Sequence, residues 1–312
     1  MPDRLMLLDT ASLYFRAFFG VPESIRSPDG TPVNAVRGLL EMIARLITEY
    51  GATHLVACWD EDWRPGWRVD LIPSYKAHRV AQAVVGAPDV EVVPEALVVQ
   101  VPMIRRVLGL AGIAVVGAAG HEADDVIGTY ASDAGLPVDV VTGDRDLFQV
   151  VDDARHVRVI YTARGMRNLE AVTDAVVVAK YGVMPGQYAD FAALRGDASD
   201  GLPGVAGIGE KTAASLLLSY GTLDGLLAAA ADPDSGLSAP VRARLAASAS
   251  YLTVAPAVVN VVRDLPLPTL DDAGARLRPV AEDSRTELER LASQWNLSGP
   301  MKRLLDALDL RP

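Results

Sequence analysis

Acidic residues grouped in short clusters carry the strongest chemical signal in this sequence. Carboxylate oxygens are the ligands that hard divalent ions select, and the four histidines and one cysteine show no spacing typical of a zinc site. A single acid, such as Asp144, is equally typical of a helix cap or of a partner for a helix dipole. Nine acids together repel one another at a cost that a purely structural role does not explain. The sequence therefore predicts a divalent-cation site built from Asp9, Asp60, Glu122, Asp124, Asp125, Asp144, Asp146, Asp197 and Asp200.

The segment His121–Asp125 contains three of these acids. If the segment opens a helix, Glu122 and Asp125 share one face at i, i+3 spacing, whereas Asp124 points elsewhere. A cluster of this kind can ligate two ions at once.

A glycine-rich stretch, Gly204–Thr212, is a second candidate for chemistry. Glycines let backbone amides approach an anion closely, and a helix beginning near Gly209 would direct its unpaired N–H groups at a phosphate. Lys211 adds a mobile positive charge. As a bare spacing, the stretch is also typical of a structural turn between two helices. With Leu202-Pro203 before it and leucines after it, the pattern favours a helix-hairpin-helix that binds the DNA backbone without reading sequence.

Basic and aromatic residues combine in Tyr75-Lys76-Ala77-His78-Arg79, which follows Arg64 and Arg68. Cations at this place can neutralise a scissile phosphate, and an aromatic ring can stack on an unpaired base. Taken alone, the five residues are more typical of a solvated helix end. Arg16 and Arg37 are candidate contacts only by context.

Apolar runs and helical periodicity predict the elements that position these residues. Acids follow each predicted strand, and parallel strands deliver such residues to one edge of a sheet, where ligands bind. The predicted fold class is therefore α/β, with a mostly parallel sheet flanked by helices. The predicted strands are 4–8, 55–59, 113–116 and 138–141, an edge hairpin is predicted at 157–168, and the predicted helices are 33–50 (capped by Thr31-Pro32), 95–110, 174–181, 187–195 and 210–220.

Composition excludes several classes of protein. Of 312 residues, 50% are hydrophobic and 22% charged, which is typical of globular domains and excludes wholesale disorder. The net charge of −11 argues against a nucleic-acid partner, but without the nine clustered acids 31 acids face 29 bases. One cysteine, Cys58, excludes an internal disulfide framework. We expect a cytoplasmic protein with no membrane span, because no apolar run reaches the length of a signal core or of a bilayer.

Five motifs, in order along nearly the whole chain, resemble those of the 5′ nuclease (flap endonuclease) family. Within the family they are most similar to the bacterial 5′-3′ exonucleases, which also form the amino-terminal domain of DNA polymerase I. The motifs are Leu7-Leu8-Asp9, Tyr75-Lys76-Ala77-His78-Arg79, Glu122-Ala123-Asp124-Asp125, Thr142-Gly143-Asp144-Arg145-Asp146, and the run from Gly196 to Gly204.

This resemblance implies a fold and a domain organisation. Residues 1–170 would form a PIN-like nuclease core that includes a helical arch at about 74–103. Residues 171–312 would form a helical DNA-binding region with a helix-hairpin-helix (helix–three-turn–helix) at about 186–230, followed by C-terminal helices.

The resemblance also implies an activity on nicked or branched duplex DNA with a free 5′ end, in replication and repair, with RNA-DNA hybrids as a further substrate. Two or more Mg²⁺ or Mn²⁺ ions would ionise a water and stabilise the leaving 3′ oxygen, and K⁺ would bind at the hairpin. Asp9, Asp60, Glu122 and Asp124 would favour one ion and Asp146, Asp197 and Asp200 another, with Asp125 and Asp144 bridging, holding waters or recruiting an additional ion. The catalytic set would be Lys76, Arg79, Asp9 and Asp124. The DNA contacts would be Tyr75, Arg16, Arg37, Gly204, Gly207, Ile208, Gly209, Lys211 and Thr212.

Two features depart from the family pattern. Gly201 stands where the family has asparagine, and the segment 80–93 is longer than expected, rich in Val and Ala, and poor in cations.

A DNA polymerase would act in trans, because the chain ends at Pro312. The alternatives are a PIN-type ribonuclease and a catalytically silent branched-DNA-binding protein. The balance between exonuclease and endonuclease action stays open.

Overall fold

The structure is a computed structural model that describes residues 3–84 and 89–310. Its strands are β1 (Leu5–Asp9), β2 (His54–Trp59), β3 (Val80–Gln82), β4 (Val90–Glu91), β5 (Ala114–Gly117), β6 (Val138–Thr142), β7 (Val157–Tyr161) and β8 (Glu170–Val172). Its α-helices are α1 (Thr10–Gly20), α2 (Asn34–Tyr50), α3 (Gly66–Leu71), α4 (Glu95–Val98), α5 (Gln100–Leu110), α6 (Ala123–Asp133), α7 (Asp174–Tyr181), α8 (Tyr188–Arg195), α9 (Glu210–Tyr220), α10 (Leu223–Ala231), α11 (Ala239–Ala247), α12 (Ala249–Val259), α13 (Glu282–Gln294) and α14 (Ser298–Asp309).

A six-stranded sheet forms the centre of the molecule, with the order β5-β2-β1-β6-β7-β8. The first five strands in this order pair in parallel, and β8 pairs antiparallel to β7 at the edge. The carboxyl ends of β1, β2 and β6 therefore lie side by side. This confirms the predicted α/β architecture and the predicted edge at which acids gather.

Both faces of the sheet are covered, as continuous apolar strands require. In β1, Leu5 and Leu7 face one core, and Met6 and Leu8 face the other. One core lies under α6 and the helices α8 to α12, and the other lies under α1, α2, α5, α13 and α14. Helices α14 and α2 pack directly on each other, so the last helix of the described chain lies against one from its first fifty residues.

Several predicted elements differ in detail from the structure. Helix α2 begins at Asn34 with Val33 at its N-cap, so Thr31-Pro32 do not cap it. The predicted helix 95–110 is divided at Val99 into α4 and α5. Helix α1 has no counterpart in the prediction. The edge hairpin predicted at 157–168 is present, but it extends further along the chain. Tyr161 is the last residue of β7, and the second strand is β8, Glu170–Val172.

Within the range predicted as a helical arch, about 74–103, the described residues form a strand hairpin, and α-helix begins only at Glu95. Strands β3 and β4 pair antiparallel, whereas residues 85–88 lie outside the described part. Asp89 fixes the hairpin: its carboxylate pairs with Arg64 and accepts the Val84 N–H at 3.0 Å, and its carbonyl accepts the Trp63 Nε1–H at 2.7 Å. Valines at this place favour extended backbone over helix.

No single helix among the described residues has the length and apolar composition of a membrane span. The bent pair of α9 and α10 meets the length and composition test only when the two helices are taken together.

Candidate active site

The ends of β1 and β2 supply the first two carboxylates of the site. Asp9 is the last residue of β1 and caps α1, and its Oδ1 accepts the Ser12 N–H at 3.1 Å. Asp60 directly follows β2, and its Oδ1 accepts the Ala123 N–H at 2.8 Å. The second bond ties the end of β2 to the start of α6.

Helix α6 and the loop after β6 supply the next acids. Glu122 is the N-cap of α6 and forms a capping box with Asp125, as the predicted helix start requires. Asp124 lies in the first turn of the helix. Asp144 and Asp146 follow β6, and the Asp146 N–H donates to Asp144 Oδ1 at 2.9 Å.

The loop between α8 and α9 closes the site from the helical side. Asp197 pairs with Leu202 through two backbone bonds of 3.0 and 2.8 Å. The Lys76 N–H donates to the Asp200 carbonyl at 2.9 Å, which joins the loop to the base of the hairpin. Gly201 makes this approach possible, because a Cβ there would lie 2.0 Å from the Ser74 carbonyl oxygen.

Seven of the nine predicted carboxylates line two adjoining cavities, and Asp125 and Asp197 line neither. A cavity of about 560 Å³ is lined by Asp9, Asp60, Glu122, Asp124, Asp144, Lys76 and Arg79, together with aromatic side chains. A recess of about 20 Å³ shares Glu122 and Asp124 with it and is also lined by Asp146 and Asp200. Glu91 of β4 also lines the larger cavity, an acid that the sequence analysis did not assign to the site.

Burial and mutual repulsion raise the pKa values of several of these carboxyls. Desolvation and the charges of Asp60 and Asp144 raise the pKa of Asp9 to about 7. Desolvation, with the charges of Asp9 and Asp144, raises the pKa of Asp124 well above its usual range. Desolvation and the neighbouring aspartates raise the pKa of Asp146 in the same way. Negative charge is therefore concentrated here to a degree that calls for bound cations.

Arg68 neutralises Asp125, which we predicted as a metal ligand. Arg68 is 2% exposed, and its guanidinium donates to both Asp125 oxygens at 2.9 and 2.7 Å and pairs with Glu122 at 2.5 Å. The Val262 N–H adds a bond of 2.9 Å to Asp125 Oδ1. Asp125 thus holds the structure together and is not available to an ion in this arrangement.

Tyr75 and Lys76 meet at Glu122. The Tyr75 hydroxyl donates to Glu122 Oε2 at 2.7 Å, and its ring is 4% exposed. The predicted base-stacking role is therefore wrong, because the ring belongs to the core. The ammonium of Lys76, which is also buried, pairs with the other Glu122 oxygen. Arg79 stays partly exposed and reaches Asp200 Oδ1 at 3.2 Å.

Arg195, which the sequence analysis did not single out, holds Asp197. It donates to Asp197 Oδ2 at 2.9 Å and to Glu210 at the start of α9 at 3.2 Å. The other Asp197 oxygen accepts the Ser199 N–H at 2.9 Å. Arg195 and Ser199 are two residues from Asp197 in the sequence, whereas Arg68 lies 57 residues before Asp125. Only the pairing of Asp125 therefore lacks a local signal that sequence reading could use.

The donor set fits a hard divalent cation, because it consists of carboxylate oxygens whose burial disfavours their charge without a counter-ion. Within residues 3–84 and 89–310, no three Asp, Glu, His or Cys side chains stand in a geometry that could hold a metal ion as they are. Ion binding therefore requires some of the carboxylates to turn toward a common centre. Asp124 and Asp146, whose pKa values are raised by neighbouring aspartates, gain most from that movement.

The predicted DNA-binding hairpin is formed by α8, α9 and the loop between them. Gly207, Gly209 and Lys211 are exposed, and Thr212 is half-buried in the first turn of α9. Ile208, also predicted to contact DNA, is 2% exposed and packs into the core. Gly204, which was also predicted to contact DNA, is buried beneath the loop.

Arg16 and Arg37, the two candidate DNA contacts that were singled out only by context, lie in different parts of the structure. Arg16 of α1 lies beside Gly143, with Nη2 3.2 Å from the position of a Cβ there, so it stands at the edge of the carboxylate loop. Arg37 of α2 forms an ion pair of 3.5 Å with Glu41 one turn away. Arg37 is not brought to the cavity that the carboxylates line.

Two family models match this chain. The 5′-3′ exonuclease N-terminal resolvase-like domain matches residues 4–182, and the 5′-3′ exonuclease C-terminal SAM fold matches residues 183–283. A 5′-3′ exonuclease of Streptomyces coelicolor is 58% identical over 97% of this chain and 99% of its own length. A 5′-3′ exonuclease of Mycobacterium tuberculosis is 49% identical over the full length of both chains. DNA polymerase I of the same species is 38% identical over 97% of this chain, which spans 32% of the polymerase.

Solved structures share the fold. A zinc-bound bacteriophage T5 5′-exonuclease has a TM-score of 0.64 at 19% identity, covering 98% of this chain and all of that one. The catalytic core of Rad2 in complex with a DNA substrate has a TM-score of 0.62 at 14% identity, covering 98% of this chain and 92% of that one. The solved structures confirm the predicted fold class, and the family models and relatives confirm the family resemblance found in the sequence.

Proposed function

The chain belongs to the 5′-3′ exonuclease family, and from that premise we propose that it is a structure-specific 5′ nuclease. It hydrolyses phosphodiester bonds near the free 5′ ends of nicked or branched duplex DNA, with divalent cations as cofactor. One observation carries the proposal: carboxylates from the ends of β1, β2 and β6, from the start of α6 and from the α8–α9 loop meet beside Lys76 and Arg79.

Two groups of residues are proposed to have different roles: the carboxylates bind the ions, and Lys76 and Arg79 contact the phosphate of the DNA strand. Asp9, Asp60 and Asp124 are proposed to hold one ion, and Asp146 and Asp200 a second, with Asp144 as a further candidate ligand. Glu122 and Asp197, which the sequence analysis assigned to the same two ions, are proposed to join them only when their ion pairs with Lys76 and Arg195 open. Ions bound there would lower the pKa of a water and stabilise the leaving oxygen. Lys76 and Arg79, on the wall of the same cavity, neutralise charge on the oxygens of the phosphate. Neither role needs a histidine base or a covalent intermediate.

We assign Mg²⁺ or Mn²⁺ to these sites, because oxygen-only donor sets suit such ions. The exposed start of α9, with Gly207, Gly209, Lys211 and Thr212, is proposed to bind the duplex backbone and to hold K⁺. Backbone N–H groups at a helix start suit phosphate and give register without sequence choice. A DNA polymerase acting in trans, RNA-DNA hybrids as a further substrate and a cytoplasmic location stay predictions.

Cleavage of a 5′-labelled flap DNA, compared with a single-stranded RNA of the same sequence, tests the proposal. We expect metal-dependent release of short 5′ products from the flap DNA with Mg²⁺ or Mn²⁺, and none with EDTA. DNA binding should persist in EDTA. Cleavage confined to RNA would favour a ribonuclease, and binding without metal-dependent cleavage of either substrate would favour a silent DNA-binding protein.

A further inference from the structure

One buried hydroxyl joins two of the carboxylates. Thr142, the last residue of β6, is fully buried, and its Oγ1 donates to Asp9 Oδ2 at 2.6 Å. The same oxygen accepts the Asp144 N–H at 2.8 Å. The neighbouring strands β1 and β6 bring these residues side by side at their carboxyl ends. Asp9 and the Asp144 backbone are therefore held by a single side chain that neither titrates nor faces solvent.

A second contact reinforces this junction. The Gly143 N–H donates to Ser12 Oγ at 3.1 Å, and the Ser12 N–H donates to Asp9 Oδ1 at 3.1 Å. Both oxygens of Asp9 thus have donors, and the loop after β6 lies against the start of α1. A Cβ on Gly143 would lie 2.9 Å from Ser12 Oγ, so only glycine fits without a shift. The junction is a packed unit with little room for the Asp9 carboxylate to turn on its own.

We propose that Thr142 is a positioning residue for ion binding, because its hydroxyl fixes the orientation of Asp9 and the path of the backbone at Asp144. The inference rests on the proposed function, in which both acids approach the same ions. Hydrogen bonds that orient metal ligands typically change metal affinity by about 10- to 100-fold when they are removed. The methyl group of Thr142 serves only packing, so its hydroxyl can be tested separately.

The chain contains a matched control in Thr162. This residue is also fully buried, and its N–H donates to the Thr142 carbonyl at 2.8 Å. Its Oγ1, however, has no hydrogen-bond partner within the described residues. Thr162→Val therefore repeats the chemistry of Thr142→Val at a neighbouring site without removing a contact to a carboxylate. Removing an unpaired buried hydroxyl is neutral or slightly stabilising.

The test measures binding of Mn²⁺ to the DNA-free full chain, with free Mn²⁺ followed by electron paramagnetic resonance. We expect Thr142→Val to weaken Mn²⁺ binding by about tenfold or more. We expect Thr142→Ser, which keeps the hydroxyl, and Thr162→Val to stay within about twofold of the wild type. The Mn²⁺ concentration for half-maximal flap cleavage should rise by the same factor, whereas affinity for flap DNA in EDTA should not change.

Equal Mn²⁺ affinity in Thr142→Val and Thr162→Val overturns the inference, even if the wild type cleaves flap DNA. A wild type that cleaves no flap DNA, while Thr142→Val still loses Mn²⁺ affinity, overturns the proposed function alone. If Thr142→Val does not fold, Thr142→Ser and Thr142→Ala decide the question, because they differ only in the hydroxyl. Equal Mn²⁺ affinity in that pair also overturns the inference.

Discussion

At the scale of single residues, neighbouring acids have opposite effects on the fold. Asp124 faces Asp9 and Asp144, and burial together with these charges raises its pKa well above the usual range. Asp125, the next residue, has a pKa that Arg68 holds below the usual range against the effect of burial. Charge repulsion at Asp124 therefore destabilises the fold, whereas the ion pair of Asp125 with Arg68 stabilises it. A functional residue that destabilises the fold is an example of the trade-off between activity and stability.

Asparagine at these two positions separates the roles. We expect Asp124→Asn to reduce flap cleavage by at least about 100-fold, a loss of some 2.7 kcal/mol of transition-state stabilisation. The same change should raise the unfolding free energy of the metal-free protein by about 1 kcal/mol, because it removes repulsion. DNA affinity in EDTA should be equal to the wild type or tighter. Urea unfolding, cleavage rates and fluorescence anisotropy measure the three effects.

Asp125→Asn is the matched comparison, and the expected change in stability has the opposite sign. It leaves Arg68 buried with one charged partner fewer, and breaking a buried pair costs about 3–5 kcal/mol. A metal-free Asp124→Asn protein that is less stable than the wild type would contradict this account of the cluster. So would an Asp125→Asn protein that unfolds at the urea concentration of the wild type.

At the scale of elements, the start of α9 is the candidate surface for duplex DNA. Lys211 is exposed in its first turn, beside exposed glycines. We expect Lys211→Ala to weaken duplex binding for all sequences alike and to lower the slope of log affinity against log salt by about 1. Lys302→Ala, on α14, is the control, since Lys302 pairs with Asp306 on its own helix. Equal salt slopes for the two variants would rule out this surface.

The strands could be predicted from sequence because each is a short apolar run, and acids follow these runs. Asp9, Asp60 and Asp144 therefore lie where the pattern placed them, at one edge of the sheet. The partners of other acids could not be predicted, because Arg68 lies 57 residues before Asp125 and their pairing depends on tertiary packing. Tyr75 was misjudged for the same reason: its partner Glu122 is 47 residues away.

The hairpin β3–β4 shows a different limit of sequence reading. The expected helical arch followed from the family resemblance, although the valines at this place favour extended backbone. What fixes the hairpin is the contact of Asp89 with Arg64 and Trp63, which sequence reading does not provide. Glu91 thereby comes to line the carboxylate cavity.

At the scale of the whole molecule, the last helices and the first strand share one core. Leu304 and Leu308 of α14 are fully buried together with Met6 and Leu8 of β1, the strand that ends at Asp9. Helix α14 packs on α2, and residues 275–277 pair with the start of β2 through the Leu55 N–H and the Thr53 carbonyl. The carboxylate site therefore depends on a core to which both ends of the described chain contribute.

This shared core predicts that damage in α14 destabilises the catalytic part of the molecule. We expect Leu304→Ala to lower the free energy of unfolding by about 2–5 kcal/mol, because it opens a cavity in that core. Flap cleavage should be lost at the same lowered temperature at which the circular dichroism signal is lost. Leu310→Ala is the control, because Leu310 is 68% exposed directly after α14 and should change stability by less than about 0.5 kcal/mol. Cleavage by Leu304→Ala that survives above its own unfolding midpoint would show that the catalytic part folds independently of α14.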